Sequence, residues 1–193
     1  QFGRFLGTIF DEWVRNDVGS VFVQTFEATV RSFAGFEQSG MCVFNETCGS
    51  GLALEHNGDL YSCDHFVDPA YLVGNIADTS VTDLVRSERQ YRFGQDKLRS
   101  LPQYCLDCDV RFACHGECPK NRFTLTPGGE PGLNYLCEGF KDFFHHVDRP
   151  VRIIIELMRQ GHHADQVMAI LDDEERPVSE ALRAAEKSSH HSK

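Results

Sequence analysis

The apolar positions at the head of the chain recur with a helical period. Phe2, Phe5, Leu6, Ile9, Phe10, Trp13 and Val14 stand at i, i+3, i+4 and i+7 intervals, the stripe of a helix over about residues 1–17 that packs on something large. Asn16–Gly19 closes it. Val21-Phe22-Val23-Gln24-Thr25-Phe26 then reads as a short β-rich run, and Glu27 to Phe36 as a second helix. A helix–strand–helix order suits the last unit of an α/β barrel, and equally other α/β folds. No cap precedes the first stripe and the first residue is Gln1, so the chain is expected to be a C-terminal piece of a longer protein.

Beyond residue 40 the pattern changes. Leu52-Ala53-Leu54-Glu55-His56 and Asp59-Leu60-Tyr61-Ser62-Cys63 flank Asn57-Gly58, which predicts a hairpin with a type I′ turn delivering Cys63 and Asp64 at its end. Asp59 belongs to that turn. Ser80 with Asp83 resembles a capping box that opens a helix through about Arg99. Pro102 follows it, Cys105 to Cys118 is a compact loop region, and Pro127 to Gly132 is a turn-rich connector. From Asn134 the helical period returns: Cys137, Phe140, Phe144 and Val147 share one face, which places Cys137 on the buried side. Ile153, Ile154, Leu157 and Met158 carry another helix after Pro150. A short helix around Ala164–Leu171 precedes a charged tail, Asp172 to Lys193, expected to be frayed.

Composition narrows the function. A formal net charge of -10 in 193 residues argues against nucleic acid or an anionic membrane as partner. No run approaches the roughly 20 apolar residues of a membrane span, and no signal peptide opens the chain. The expected location is cytoplasmic, where eight cysteines point to metal rather than to disulfides.

Those cysteines carry the chemistry. They read Cys42-x5-Cys48, then Cys63, then Cys105-x2-Cys108-x5-Cys114-x3-Cys118, then Cys137, enough for two four-thiolate sites. Structural zinc usually shows paired Cys-x2-Cys knuckles, and only one occurs here. Uneven gaps suit the wider iron–sulfur cubane, and a run of cysteines can give its last member to a second cluster. Spacing alone equally allows Cys105, Cys108, Cys114 and Cys118 as one site.

The pattern Cys-x9-Gly-x4-Cys, then Cys-x2-Cys-x5-Cys-x3-Cys, then Cys resembles the SPASM domain, the auxiliary-cluster extension of radical S-adenosylmethionine enzymes. Within that group, Leu60-Tyr61-Ser62-Cys63-Asp64-His65, Gly74-Asn75-Ile76 and Pro131-Gly132-Leu133-Asn134-Tyr135-Leu136-Cys137-Glu138-Gly139 resemble the anaerobic sulfatase-maturating enzymes. The resemblance covers residues 41–160 strongly and residues 1–40 weakly. It implies an α+β fold: the end of a partial α/β barrel at 1–40, a two-cluster domain at 41–147, and C-terminal helices with a charged tail at 148–193. It also implies two 4Fe–4S clusters, the first held by Cys42, Cys48, Cys63 and Cys118, the second by Cys105, Cys108, Cys114 and Cys137.

The implied reaction is oxidation of a sulfatase Cys or Ser side chain to Cα-formylglycine without oxygen. A radical made from S-adenosylmethionine takes a hydrogen from the substrate Cβ; a proton and an electron must then leave. Asp64 matches the family's base, and an anionic cluster beside it should raise its pKa. The implied partners are a sulfatase polypeptide and an electron-carrying flavodoxin or ferredoxin. S-adenosylmethionine and a third 4Fe–4S cluster would sit in an N-terminal part, because Cys-x3-Cys-x2-Cys occurs nowhere in these residues. The chain alone is therefore expected to be inactive.

Other residues read as support. His65 and His115 adjoin ligands and suit hydrogen bonding to them; His145, His146, His162 and His163 read as helix-surface or helix-end groups, and His190 and His191 lie in the tail. Tyr135, Phe140, Phe143 and Phe144 read as core, Glu55 and Glu138 as solvated. Two rivals remain: a SPASM domain of an enzyme acting on another peptide, and a zinc-binding module without redox function.

Overall fold

The computed structural model describes residues 1–173. In chain order they form α1 (Phe2–Asn16), α2 (Gln24–Phe33), β1 (Ala53–Leu54), β2 (Asp59–Tyr61), β3 (Leu72–Asn75) and α3 (Val81–Val85). There follow α4 (Glu88–Arg99), α5 (Gln103–Leu106), α6 (Arg111–Cys114), β4 (Thr124–Leu125), β5 (Pro131–Leu133) and α7 (Cys137–Arg159). Residues 166–173 are helical again, near the position expected. Apart from Asp172 and Asp173, the tail lies outside the described residues.

Helices α1, α2 and α7 make an aromatic base. Phe10, Phe26 and Phe143 are fully buried, with Phe10 and Phe26 edge-to-face at 5.2 Å and Trp13 5.3 Å from Phe26. Such pairs contribute about 0.5–1.5 kcal/mol beyond the area they bury. The expected strand at Val21–Phe26 does not form. Val23 is extended, yet α2 starts at Gln24, and no described strand lies beside it. Trp13 Nε1 instead donates to the Val21 carbonyl at 2.8 Å, and Phe26 enters the core from a helix.

Pro150 does not divide the last helix. It lies inside a continuous α7, although an interior proline removes one hydrogen bond and costs about 3 kcal/mol. Val147, Val151, Ile154 and Ile155 are buried on both sides of it, and that shared face holds the helix together.

The cysteine lobe is built from little regular structure. β1, β2 and β3 form an antiparallel sheet in that order, and β4 pairs with β5, a small hairpin that the connector at Pro127–Gly132 concealed. The β1–β2 hairpin forms where predicted, with a different turn. Only Gly58 takes positive φ there, at 89°; Asn57 does not, as type I′ would require. Gly58 N–H bonds to Glu55 O at 2.9 Å, and Asn57 Oδ1 accepts from Asp59 N–H. The helix foreseen from Ser80 to Arg99 is broken into α3 and α4, because Ser87 caps a new start by accepting from Gln90 N–H. Cys105 to Cys118 contains α5 and α6 rather than loop alone.

Candidate metal centre

Two groups of four thiols emerge from this scaffold. Cys42 opens a 3-10 turn, Cys48 sits in the loop beyond it, Cys63 follows β2, and Cys118 precedes the turn Pro119–Asn121. Charge on one is felt by its fellows: Cys48 by Cys118 and Cys42, Cys63 by Cys118, and Cys118 by Cys42. In the other group Cys105 lies in α5, Cys108 just after it, Cys114 at the end of α6 and Cys137 at the start of α7. Cys114 is coupled to Cys137, Cys105 and Cys108. These four line one small cavity with Tyr104 and Lys141. Cys118 thus stands with the hairpin thiols and not with its neighbours in sequence.

Burial pushes these thiols up: Cys63 and Cys137 to about 11 and Cys114 to about 12, with Cys48, Cys105 and Cys118 raised as well. A dry pocket disfavours a lone thiolate, so ligation needs a cationic centre that replaces the protons. All eight are free thiols. No three His, Cys, Asp or Glu side chains among the described residues converge to hold a single ion. Four thiols around one cavity, with no other ligand type beside them, suit an iron–sulfur cluster.

Asp64 is exposed beside Cys63, and Cys63 Sγ donates to its Oδ1 at 3.2 Å. That donor holds the carboxyl below its usual value; the expected rise belongs to the cluster-bound state. The expectation assumed an ionised cluster next door; here the neighbour is a protonated thiol, whose proton must leave on ligation. His65 Nδ1 lies 3.3 Å from Cys118 Sγ, as a supporting histidine should. His115 contributes through its carbonyl instead, from a left-handed position with φ 47°.

The core reading holds for Phe140, Phe143 and Phe144 and fails for Tyr135. Tyr135 is 50% exposed and stacks on Phe123 at 5.0 Å, in the link between β5 and α7. His145 and His146 pair at the surface with Asp109 and Asp11. Glu55 and Glu138 are exposed.

Three polar residues of the lobe carry no sequence signal at all. Gln90 Nε2 donates to Gly49 O at 2.8 Å and Ser62 O at 3.0 Å, tying the Cys48 loop to the Cys63 strand. Lys97, 1% exposed, donates from Nζ to the carbonyls of Cys42 and Val43 at 2.8 Å and to that of Asn45; burial pulls its pKa down to about 8. Arg122 donates to the carbonyls of Gly116, Lys97, His115 and Glu117 at 2.6–3.0 Å and to Ser100 Oγ at 3.4 Å. Both sit in polar stretches that read as helix surface and turn. A roomier cavity of about 770 Å³, lined by Trp13, Val30, Ile154 and Met158, contains no thiol and lies away from this chemistry.

Comparison with known proteins points to an iron–sulfur domain. Residues 42–109 match the SPASM iron–sulfur cluster-binding domain. The chain is 50% identical over 173 residues to a serine-type anaerobic sulfatase-maturating enzyme of Bacteroides thetaiotaomicron, covering 89% of the chain and 42% of that relative. It is 26% identical over 152 residues to a cysteine-type enzyme of Clostridium perfringens, covering 76% and 39%. The solved structure of anSMEcpe with bound AdoMet and the Cp18Cys peptide superposes with a TM-score of 0.70 at 24% identity, over 81% of this chain and 43% of that one. The chain therefore spans under half the length of the relatives it matches. Among the described residues no helix is long and apolar enough to cross a membrane.

Proposed function

We propose that this chain, whose residues 42–109 match the SPASM iron–sulfur cluster-binding domain, is the auxiliary-cluster portion of a radical S-adenosylmethionine enzyme that matures sulfatases. The observation that supports the reading most is Cys105, Cys108, Cys114 and Cys137 around one cavity, with Cys118 reached instead by His65 beside Cys63, in a chain 50% identical to a sulfatase maturase. Cys42, Cys48, Cys63 and Cys118 would hold one 4Fe–4S cluster, and Cys105, Cys108, Cys114 and Cys137 the other. When bound, such clusters supply a one-electron sink.

The protein side chains do the rest. Cys118 ties the segment after α6 to the hairpin, so the two quartets share one frame. Asp64, exposed at the first quartet, offers a carboxylate to a substrate Cys or Ser; once Cys63 is a ligand, its thiol proton no longer occupies that carboxylate. His65 steadies Cys118. The substrate would be a sulfatase polypeptide and the product Cα-formylglycine, with a flavodoxin or ferredoxin as redox partner. S-adenosylmethionine and its own cluster would belong to a portion outside these residues.

The test uses the full-length protein that contains this chain, given S-adenosylmethionine, a reductant and a sulfatase-derived peptide. Formylglycine, trapped as a hydrazone, is the expected product, and Asp64→Asn should slow it by about 10²–10⁴-fold at unchanged iron content. An intact peptide, or a different modification, would overturn the substrate assignment.

A further inference from the structure

Two cations, the buried Lys97 and the half-buried Arg122, take no part in the proposed reaction. All three donors of Lys97 and all five of Arg122 are satisfied, and every acceptor is neutral: carbonyls and one hydroxyl. Among the described residues neither makes an ion pair. The nearby Glu117 carboxylate is directed away, to the amides of Asn121 at 2.9 Å and Asn134 at 2.6 Å. Cations taken out of water are normally paired with carboxylates; here the buried Lys97 and the half-buried Arg122 are held by dipoles alone, and their charge is left for something else.

Placement says what that is. Lys97 clasps the loop from Cys42 to Asn45, immediately before Cys48. Arg122 clasps His115, Gly116 and Glu117, the link between Cys114 of one quartet and Cys118 of the other. Its Nη1 also bonds to the Lys97 carbonyl at 2.6 Å, so the two cations form one chain. The thiols that act on Lys97 are Cys48, Cys42 and Cys118, all of the first quartet. Those that act on Arg122 are Cys105 and Cys114 from the second, and Cys118 and Cys48 from the first.

Resting on the two-cluster reading above, we infer that Lys97 and Arg122 are fixed positive charges that favour the reduced clusters, Lys97 at the first site and Arg122 at both. Reduction adds a negative charge to an already anionic cluster, and an unpaired cation in a poorly solvated setting stabilises that added charge. They are tuning residues and touch no substrate.

The experiment uses the 193-residue chain, reconstituted without oxygen with ferrous iron and sulfide, with each cluster titrated potentiometrically by electron paramagnetic resonance. Lys97→Met should lower the reduced-to-oxidised ratio of one cluster at fixed potential by about tenfold or more, ~59 mV for one electron, while the other stays within roughly twofold. Arg122→Gln should lower both. Lys97→Arg and Arg122→Lys, which keep the charge, should stay near wild type.

Neutral variants with full iron and wild-type potentials would overturn the inference. If the neutral variants lose iron, the charge-keeping pair decides. Iron retained there supports a need for the charge; iron lost there as well reduces both residues to loop clamps and overturns it. A wild-type chain without iron–sulfur clusters would sink the two-cluster reading and this inference together, whereas unshifted potentials in a loaded chain sink only the second.

Discussion

The two halves of this molecule are stabilised by different means. The helical base packs Phe10, Trp13, Phe26, Phe143 and Phe144 with the apolar face of α7 into one continuous core. The thiol lobe has small apolar clusters of its own, Leu101 with Cys105 and Leu133, and Phe66 with Tyr71 and Phe93. Its segments are joined by Gln90, Lys97 and Arg122, each bonded to backbone carbonyls. Apolar burial is non-directional and tolerates repacking. A scaffold of buried polar bonds fixes positions closely but contributes little net stability per bond. The base therefore has the means to hold itself, while the lobe holds a geometry that bound metal would complete.

The largest effect should come from the base. Phe143→Ala removes a fully buried ring that lies among Phe10, Phe26 and Phe144, and should cost about 3–5 kcal/mol in urea unfolding. Helical circular dichroism and iron loading should fall together; iron loading kept at full level would show that the lobe does not depend on the base.

Gly94→Ala probes the lobe. A Cβ there would clash with the Cys48 carbonyl oxygen, where Cys48 N–H bonds to Gly94 O. The cost should be about 1–3 kcal/mol, with iron reduced to one cluster's worth because only Cys48's quartet is displaced. Loss of both clusters would show that the quartets are not separable.

In the metal-free chain, pH should separate the polar scaffold from the thiols. Lys97 has a folded pKa of about 8, below its ordinary 10.5, so the folded state sheds that proton first and stability should rise between about 8 and 9. Above about 9 the unfolded thiols ionise, while Cys63, Cys114 and Cys137 stay protonated in the folded chain up to about 11–12. Stability should then fall as pH climbs. Lys97→Met should abolish the rise and keep the fall, as read by melting temperature. The smallest effect is local: Gly58→Ala, at φ 89° and 2.8 Å from Asn75 Oδ1, should cost about 1 kcal/mol and leave iron content unchanged.

The base and the thiols were legible in the sequence for different reasons. A helical stripe such as Phe2 to Val14 and the gaps between cysteines are periodic signals that survive without coordinates. The hairpin was legible from Asn57-Gly58, but its turn type was not, because Asn57 could serve by side-chain hydrogen bonding as well as by positive φ. Val21–Phe26 misled: β-rich residues need a partner strand, and a nearby aromatic core claimed Phe26 for a helix. Pro150 misled in the opposite sense, since burial on both sides outweighed one lost bond. Lys97 and Arg122 were invisible because a cation withdrawn from water on a polar helix or turn looks like a solvated one until its acceptors are known.

Iron and acid-labile sulfide, measured with an absorption spectrum on the chain made and kept without oxygen, decide whether the eight thiols hold iron–sulfur clusters. The two quartets predict about eight irons and eight sulfides per chain, with a broad band near ~400 nm that bleaches on reduction. About two zincs per chain and no colour would contradict it.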